Sequence, residues 1–154
     1  MQWKGWLGRL AAVAVVGVAL AALGGRSAAQ TTEPPVGTWR LVSAQANGKP
    51  LDLPAGTTIV KHVTPTHFVF VYYDQQGMVS VVGGGSWRLD GSRYEETVEY
   101  GLGEGMKPYI GKTQVFTLRI DGGRWYHAGT ESDGTVIEEV WEPPCASRPA
   151  ARGC

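Results

Sequence analysis

The chain is poor in cysteine. Of its 154 residues only two are cysteines, Cys145 and Cys154, both in the last ten. They either close a small loop beyond the folded part, which would constrain little, or stay as two thiols in a frayed tail. Cys-x-x-Cys and Cys–His zinc spacings are missing. Clusters of Lys and Arg are missing too, so no segment is built to neutralise a run of phosphates, which points away from nucleic acid as a partner. Helical periodicity is almost absent after residue 35. No serine stands in a Gly-x-Ser-x-Gly setting, which removes the nucleophile elbow. Gly83-Gly84-Gly85 is followed by no Lys and opens no helix, so it is not a phosphate loop.

One uncharged apolar run is present. Residues 10–23 are Ala, Val, Leu and Gly only, preceded by Lys4 and Arg9 and followed by Ser27-Ala28-Ala29. A basic start, an apolar core and small residues at the end are the three parts of an export signal, with the cut expected after Ala29. A spanning helix needs about 20 apolar residues, and this run is shorter and rich in Ala and Gly, so stable membrane insertion is not expected after cleavage. The expected organisation is a signal peptide (1–29), a short linker (30–36), one domain (37–142) and a disordered tail (143–154), in the periplasm or secreted. Losing Lys4, Arg9 and Arg26 leaves the mature chain mildly acidic.

Strand signals fill the domain: short runs of β-branched and aromatic residues cut by Gly, Pro, Asn and Asp. Strands are expected at 37–45, 57–63, 66–74, 78–82, 86–89, 93–100, 113–120, 124–130 and 135–142, the fourth and fifth of these being one strand interrupted by Gly83, Gly84 and Gly85. Asn47-Gly48, Gln76-Gly77, Asp90-Gly91 and Asp133-Gly134 mark turns. Residues 101–111 read as a glycine-rich loop. About eight strands in meander order leave two exposed edges unless they close, so the fold class is all-β, a single antiparallel up-and-down barrel. A two-sheet sandwich is the alternative, but it needs longer crossovers than the chain supplies. Three glycines in a strand mark a bulge, a corner or a close approach of backbone that Trp87 or Tyr94 could cover.

Alternation sorts the side chains. Phe116, Leu118 and Ile120 share one face, as do Phe68, Phe70 and Tyr72, and Tyr94, Glu96, Val98 and Tyr100. Trp39 and Leu41 point in from the first strand. An interior of Trp, Tyr and Phe with one Glu describes either a small-molecule pocket or a filled core with one buried carboxyl.

Gly37-Thr38-Trp39 resembles the Gly-x-Trp opening of lipocalins and other calycins. The ordered series Thr64-Pro65-Thr66-His67-Phe68, Gly83-Gly84-Gly85-Ser86-Trp87, Tyr94-Glu95-Glu96-Thr97-Val98-Glu99-Tyr100, Ile110-Gly111-Lys112-Thr113, Arg124-Trp125-Tyr126 and Glu138-Glu139-Val140-Trp141-Glu142 resembles a family of exported bacterial lipocalin-like domains. The resemblance runs from Gly37 to Glu142. It implies an eight-stranded calycin-type barrel and assigns no ligand. Lipocalins usually set an Arg against the opening Trp; here Arg40 and Arg124 are the stand-ins.

The expected function is binding of a small apolar or amphipathic ligand without catalysis, lined by Tyr72, Tyr94, Glu96, Tyr100 and Phe116. Trp39 closes the floor, and Gly83, Gly84 and Gly85 are structural. No cofactor and no metal are assigned, and the oligomeric state is left open. The alternatives are a filled barrel with no ligand, or a small barrel enzyme using Glu96 or His127 as base. His62 and His67 flank the Thr64-Pro65 bend and would face each other across a tight hairpin, read as a solvated pair, with a shared metal as the alternative although no third ligand lies nearby. His127 on a late strand is the residue a haem would take.

Overall fold

The structure, a computed structural model, describes residues 33–144. The segment expected to be an export signal with its cleavage site, Cys145 and Cys154 lie outside these residues, as does all of the tail beyond Pro144.

The turn pairs act as their chemistry dictates. Asn47 and Gly48 both adopt positive φ, 52° and 74°, the conformation of a two-residue hairpin turn whose twist matches its strands. They join β1 (Gly37–Ala46) to a two-residue strand, β2 (Lys49–Pro50). The Asn47 side chain also accepts from the Val136 amide, which ties the turn to the last strand.

The remaining strands are β3 (Thr58–Val63), β4 (His67–Tyr73), β5 (Val79–Asp90), β6 (Arg93–Leu102), β7 (Thr113–Asp121), β8 (Arg124–Thr130) and β9 (Val136–Glu142). Each pairs antiparallel with the next. β1 pairs with β3 through Gly37–Arg40 and with β9 through Arg40–Ala46. Eight strands thus close into an up-and-down barrel, with β2 as an appendage on β1. Closure removes both edges of the meander.

β5 runs unbroken through the three glycines. At Gly84/Gly85 its partner strand skips a residue: Gly84 opposes Tyr100 and Gly85 opposes Val98, leaving Glu99 extra. A Cβ on Gly85 would fall on the Thr97 carbonyl and lie 2.8 Å from the Glu99 nitrogen. Only glycine lets the bulged backbone approach so closely. Gly83 lies under Phe70 and Met106, and Gly84 under the Tyr100 ring. The covering side chains are therefore Phe70, Met106 and Tyr100 rather than Trp87 or Tyr94.

The bulge also re-aims a side chain. Tyr94, Glu96 and Val98 are buried, but past Glu99 the parity inverts and Tyr100 is 50% exposed. Tyr100 does not line the interior, contrary to the strict alternation read from the sequence. The segment expected to be loop from Gly101 contains the end of β6 and a 3₁₀ turn (Glu104–Met106). Its Met106 is buried over Gly83 and Gly101.

The lower end, where β1 begins, is an apolar plug. Trp39 meets Trp125 edge-on at 5.6 Å between ring centroids, Trp125 stacks on Trp141 at 6.0 Å, and Phe68, Leu118 and Tyr94 are buried with them. Trp39 Nε1 donates to the Pro35 carbonyl at 2.6 Å. This is the floor expected for Trp39. The upper end carries the β4–β5 and β8–β9 turns and the 3₁₀ segment.

Candidate functional site

Above the plug the inward positions change character. In β3 the inner face reads Ile59, Lys61, Val63; in β6 Tyr94, Glu96, Val98; in β8 Trp125, His127; in β9 Ile137, Glu139, Trp141. At one level of the barrel, four strands therefore send in a Lys, two Glu and a His. They line a cavity of about 70 Å³ together with Phe70, Tyr72, Phe116, Glu131, Ile137 and Trp141.

Lys61 and Glu96 form a buried ion pair across the barrel, 2.8 Å apart, with side chains 4% and 6% exposed. The ammonium also lies 5.1 Å from the ring centroids of both Trp125 and Trp141, and 5.6 and 5.9 Å from those of Phe68 and Phe70. The cation that meets the indoles thus comes from inside the barrel. The two arginines considered as stand-ins do otherwise: Arg124 binds the Glu142 carboxylate at 2.7 Å, and Arg40 is exposed in β1.

His127 and Glu139 face each other as direct partners of the β8–β9 ladder, with Nδ1 and Oε2 2.9 Å apart. The same carboxylate oxygen accepts from Trp141 Nε1 at 3.0 Å. Burial raises the Glu139 pKa, but the hydrogen bonds from His127 and Trp141 and the charge of Lys61 outweigh it and hold the group below the usual carboxylate range. An ionised Glu139 makes Nδ1 the protonated nitrogen of His127.

Two buried polar atoms on contacting rings have no hydrogen-bond partner, Trp125 Nε1 and His127 Nε2, while the Tyr94 hydroxyl between them has the Glu96 carboxylate beside it. The Tyr94, Trp125 and His127 centroids lie 5.1 to 5.6 Å apart. An unmet buried donor or acceptor costs about 1–3 kcal/mol. Burial, with the Glu96 charge beside it, pushes the Tyr94 phenol far up and keeps it neutral.

Glu131 stands at the upper rim. Burial lifts its pKa to about 7, against a lowering hydrogen bond from Tyr109. The Tyr109 hydroxyl lies 3.1 Å from Glu131 and 2.8 Å from Asp133, so the segment between β6 and β7 is latched to the β8–β9 turn at the mouth.

No protein-family model matches the chain, and no curated protein matches it. Among solved structures it is similar to a lipocalin-like protein from Bacteroides uniformis: 13% identity, 70% of this chain and 96% of that chain covered, TM-score 0.49. The barrel assignment stands on the strand pairing itself.

Of the five lining residues expected from the sequence, Tyr72, Glu96 and Phe116 border the cavity, Tyr94 lies buried among the rings beneath it, and Tyr100 is outside. His62 and His67 do not face each other. His62 opposes Val69 and contacts Thr38 Oγ1, while His67 contacts Thr66 Oγ1. Among the described residues no group of three or more His, Cys, Asp or Glu is arranged to hold a metal ion. Lys61, Glu131 and Glu139 were missed. Lys61 and Glu139 follow from parity alone, since each sits two residues from hydrophobics on both sides within its strand.

Proposed function

We propose that the barrel binds a small amphipathic molecule in its polar chamber, without transforming it, and that the chain is exported to do so. The carrying observation is the buried chamber level itself: an ion pair, an oriented histidine and an unpartnered Nε2 around a cavity whose other walls are Phe70, Tyr72, Phe116, Glu131, Ile137 and Trp141. Polar groups that converge in an apolar, concave setting are what orients a ligand. The chamber is far smaller than the roughly 300–1,000 Å³ that drug-sized ligands occupy, so the amphipathic option outweighs the apolar one and the molecule is small.

A second reading is favoured by one contact. Glu139 on Nδ1 with Nε2 unpartnered is the arrangement of an oriented general base. Native mass spectrometry of protein purified from the organism that makes it tests both. A retained small molecule, lost in a Glu96→Ala, Lys61→Met double variant, supports binding. Conversion of that molecule by the protein, abolished in His127→Gln, supports the base instead. A clean apo mass, together with no saturable change at His127 when small amphipathic molecules are added at millimolar concentration, overturns both and leaves a filled barrel.

A further inference from the structure

The chamber holds more carboxylates than ammonium groups. Three carboxylates line it, Glu96, Glu131 and Glu139, against one ammonium, Lys61. Glu96 takes Lys61. Glu139 is engaged by His127 Nδ1 and Trp141 Nε1. Glu131 is met by the Tyr109 hydroxyl, which it shares with Asp133. His127 is 1% exposed, and its Nε2, a lone pair in the neutral ring, has no donor.

Resting on the binding reading above, we infer that the ligand is a small protonated amine. Its ammonium donates to His127 Nε2 and to the Glu131 carboxylate, and its short alkyl stem lies against Phe70 and Phe116. An anion would meet the two carboxylates that Lys61 does not neutralise. An alcohol would donate once and leave Glu131 without a cation. The aromatic walls suit a cation, because ring faces attract positive charge. A bound ammonium would also offset, by its charge, the desolvation that lifts Glu131 to about 7. At about 70 Å³ the space is less than half of the roughly 150 Å³ cavity that accepts benzene. An amine of three or four carbons is the size that fits.

The test titrates propylammonium, 1-propanol and propionate, each at equal ionic strength and neutral pH, while ring ¹H–¹⁵N spectra follow His127. A ligand of so few atoms binds in the millimolar range at best efficiencies below the ceiling for tiny ligands. Propylammonium is expected to move the Nε2 resonance saturably, at least tenfold tighter than 1-propanol, with no effect of propionate. Glu131→Gln should weaken propylammonium at least fivefold while leaving the Nδ1–H tautomer of His127 in place. Equal or tighter binding of 1-propanol or propionate overturns the amine assignment and leaves the binding reading intact. A His127 signal that none of the three moves overturns the amine assignment too, and the native mass measurement then decides the binding reading separately.

Discussion

Replacing Lys61 with Met should be among the most destabilising changes in the barrel interior. At 2.8 Å and an effective dielectric near 20, the pair's attraction is about 6 kcal/mol, offset by the desolvation of both ions. Losing the cation leaves Glu96 buried with an uncompensated charge, which costs about 3–5 kcal/mol. Glu96→Gln should cost less, about 2–3 kcal/mol, because Lys61 keeps the ring faces of Trp125, Trp141, Phe68 and Phe70. Removing both charges together, as Lys61→Met with Glu96→Leu, should return stability to within about 1 kcal/mol of the parent, since apolar isosteres replace buried pairs without loss. The assay is equilibrium unfolding in guanidinium followed by tryptophan fluorescence, with the midpoint compared at constant slope. Additive single losses in the double variant would refute the pairing. So would a Lys61→Met loss below that of Glu96→Gln.

Two further outcomes follow from particular contacts. Gly85→Ala places its Cβ against rigid backbone at the bulge, while Gly83→Ala meets only the tips of Phe70 and Met106; the first should cost more than about 3 kcal/mol and the second about 1–3 kcal/mol, and thermal midpoints in the reverse order would sink the close-approach argument. Glu131 has its pKa raised from 4.5 to about 7 by burial, so the fold prefers its neutral form: that stability is complete below about pH 4.5 and is lost as pH rises through 7. Allowing for its partial exposure, the loss from pH 5 to 8 is about 1–2 kcal/mol, and Glu131→Gln should remove that slope in denaturation midpoints across the window. Glu139, held low, acts oppositely and only below that range.

Much of the architecture was legible because it is local. The turn pairs fixed where strands end, and a meander of eight strands has one economical way to lose its edges. Parity within each strand placed Trp39, Tyr94, Glu96 and Phe116 inward, and the same count places Lys61, His127 and Glu139 there. It failed at Tyr100, because the inversion depends on Gly85 meeting β6 across a ladder, and no count along one strand contains that. His127 and Glu139 could have been paired from the β8–β9 turn, which sets their register. Lys61 and Glu96 could not. They sit on β3 and β6, three strands apart in the sheet order, and meet only because the sheet curls.

Curling alone does not require charge at that level. The lower half shows how this chain fills a barrel when only packing matters: Trp39, Phe68, Tyr94, Leu118, Trp125 and Trp141 in contact. One turn of side chains higher, Leu or Met would avoid the desolvation of Lys61, Glu96 and Glu139 and would leave no orphaned Nε2. Apolar replacement of such a pair is neutral or stabilising by about 1–4 kcal/mol. At that level the chain therefore carries charge that packing alone does not call for. A group that enters the chamber and satisfies His127 and Glu131 is the simplest physical reason for that arrangement.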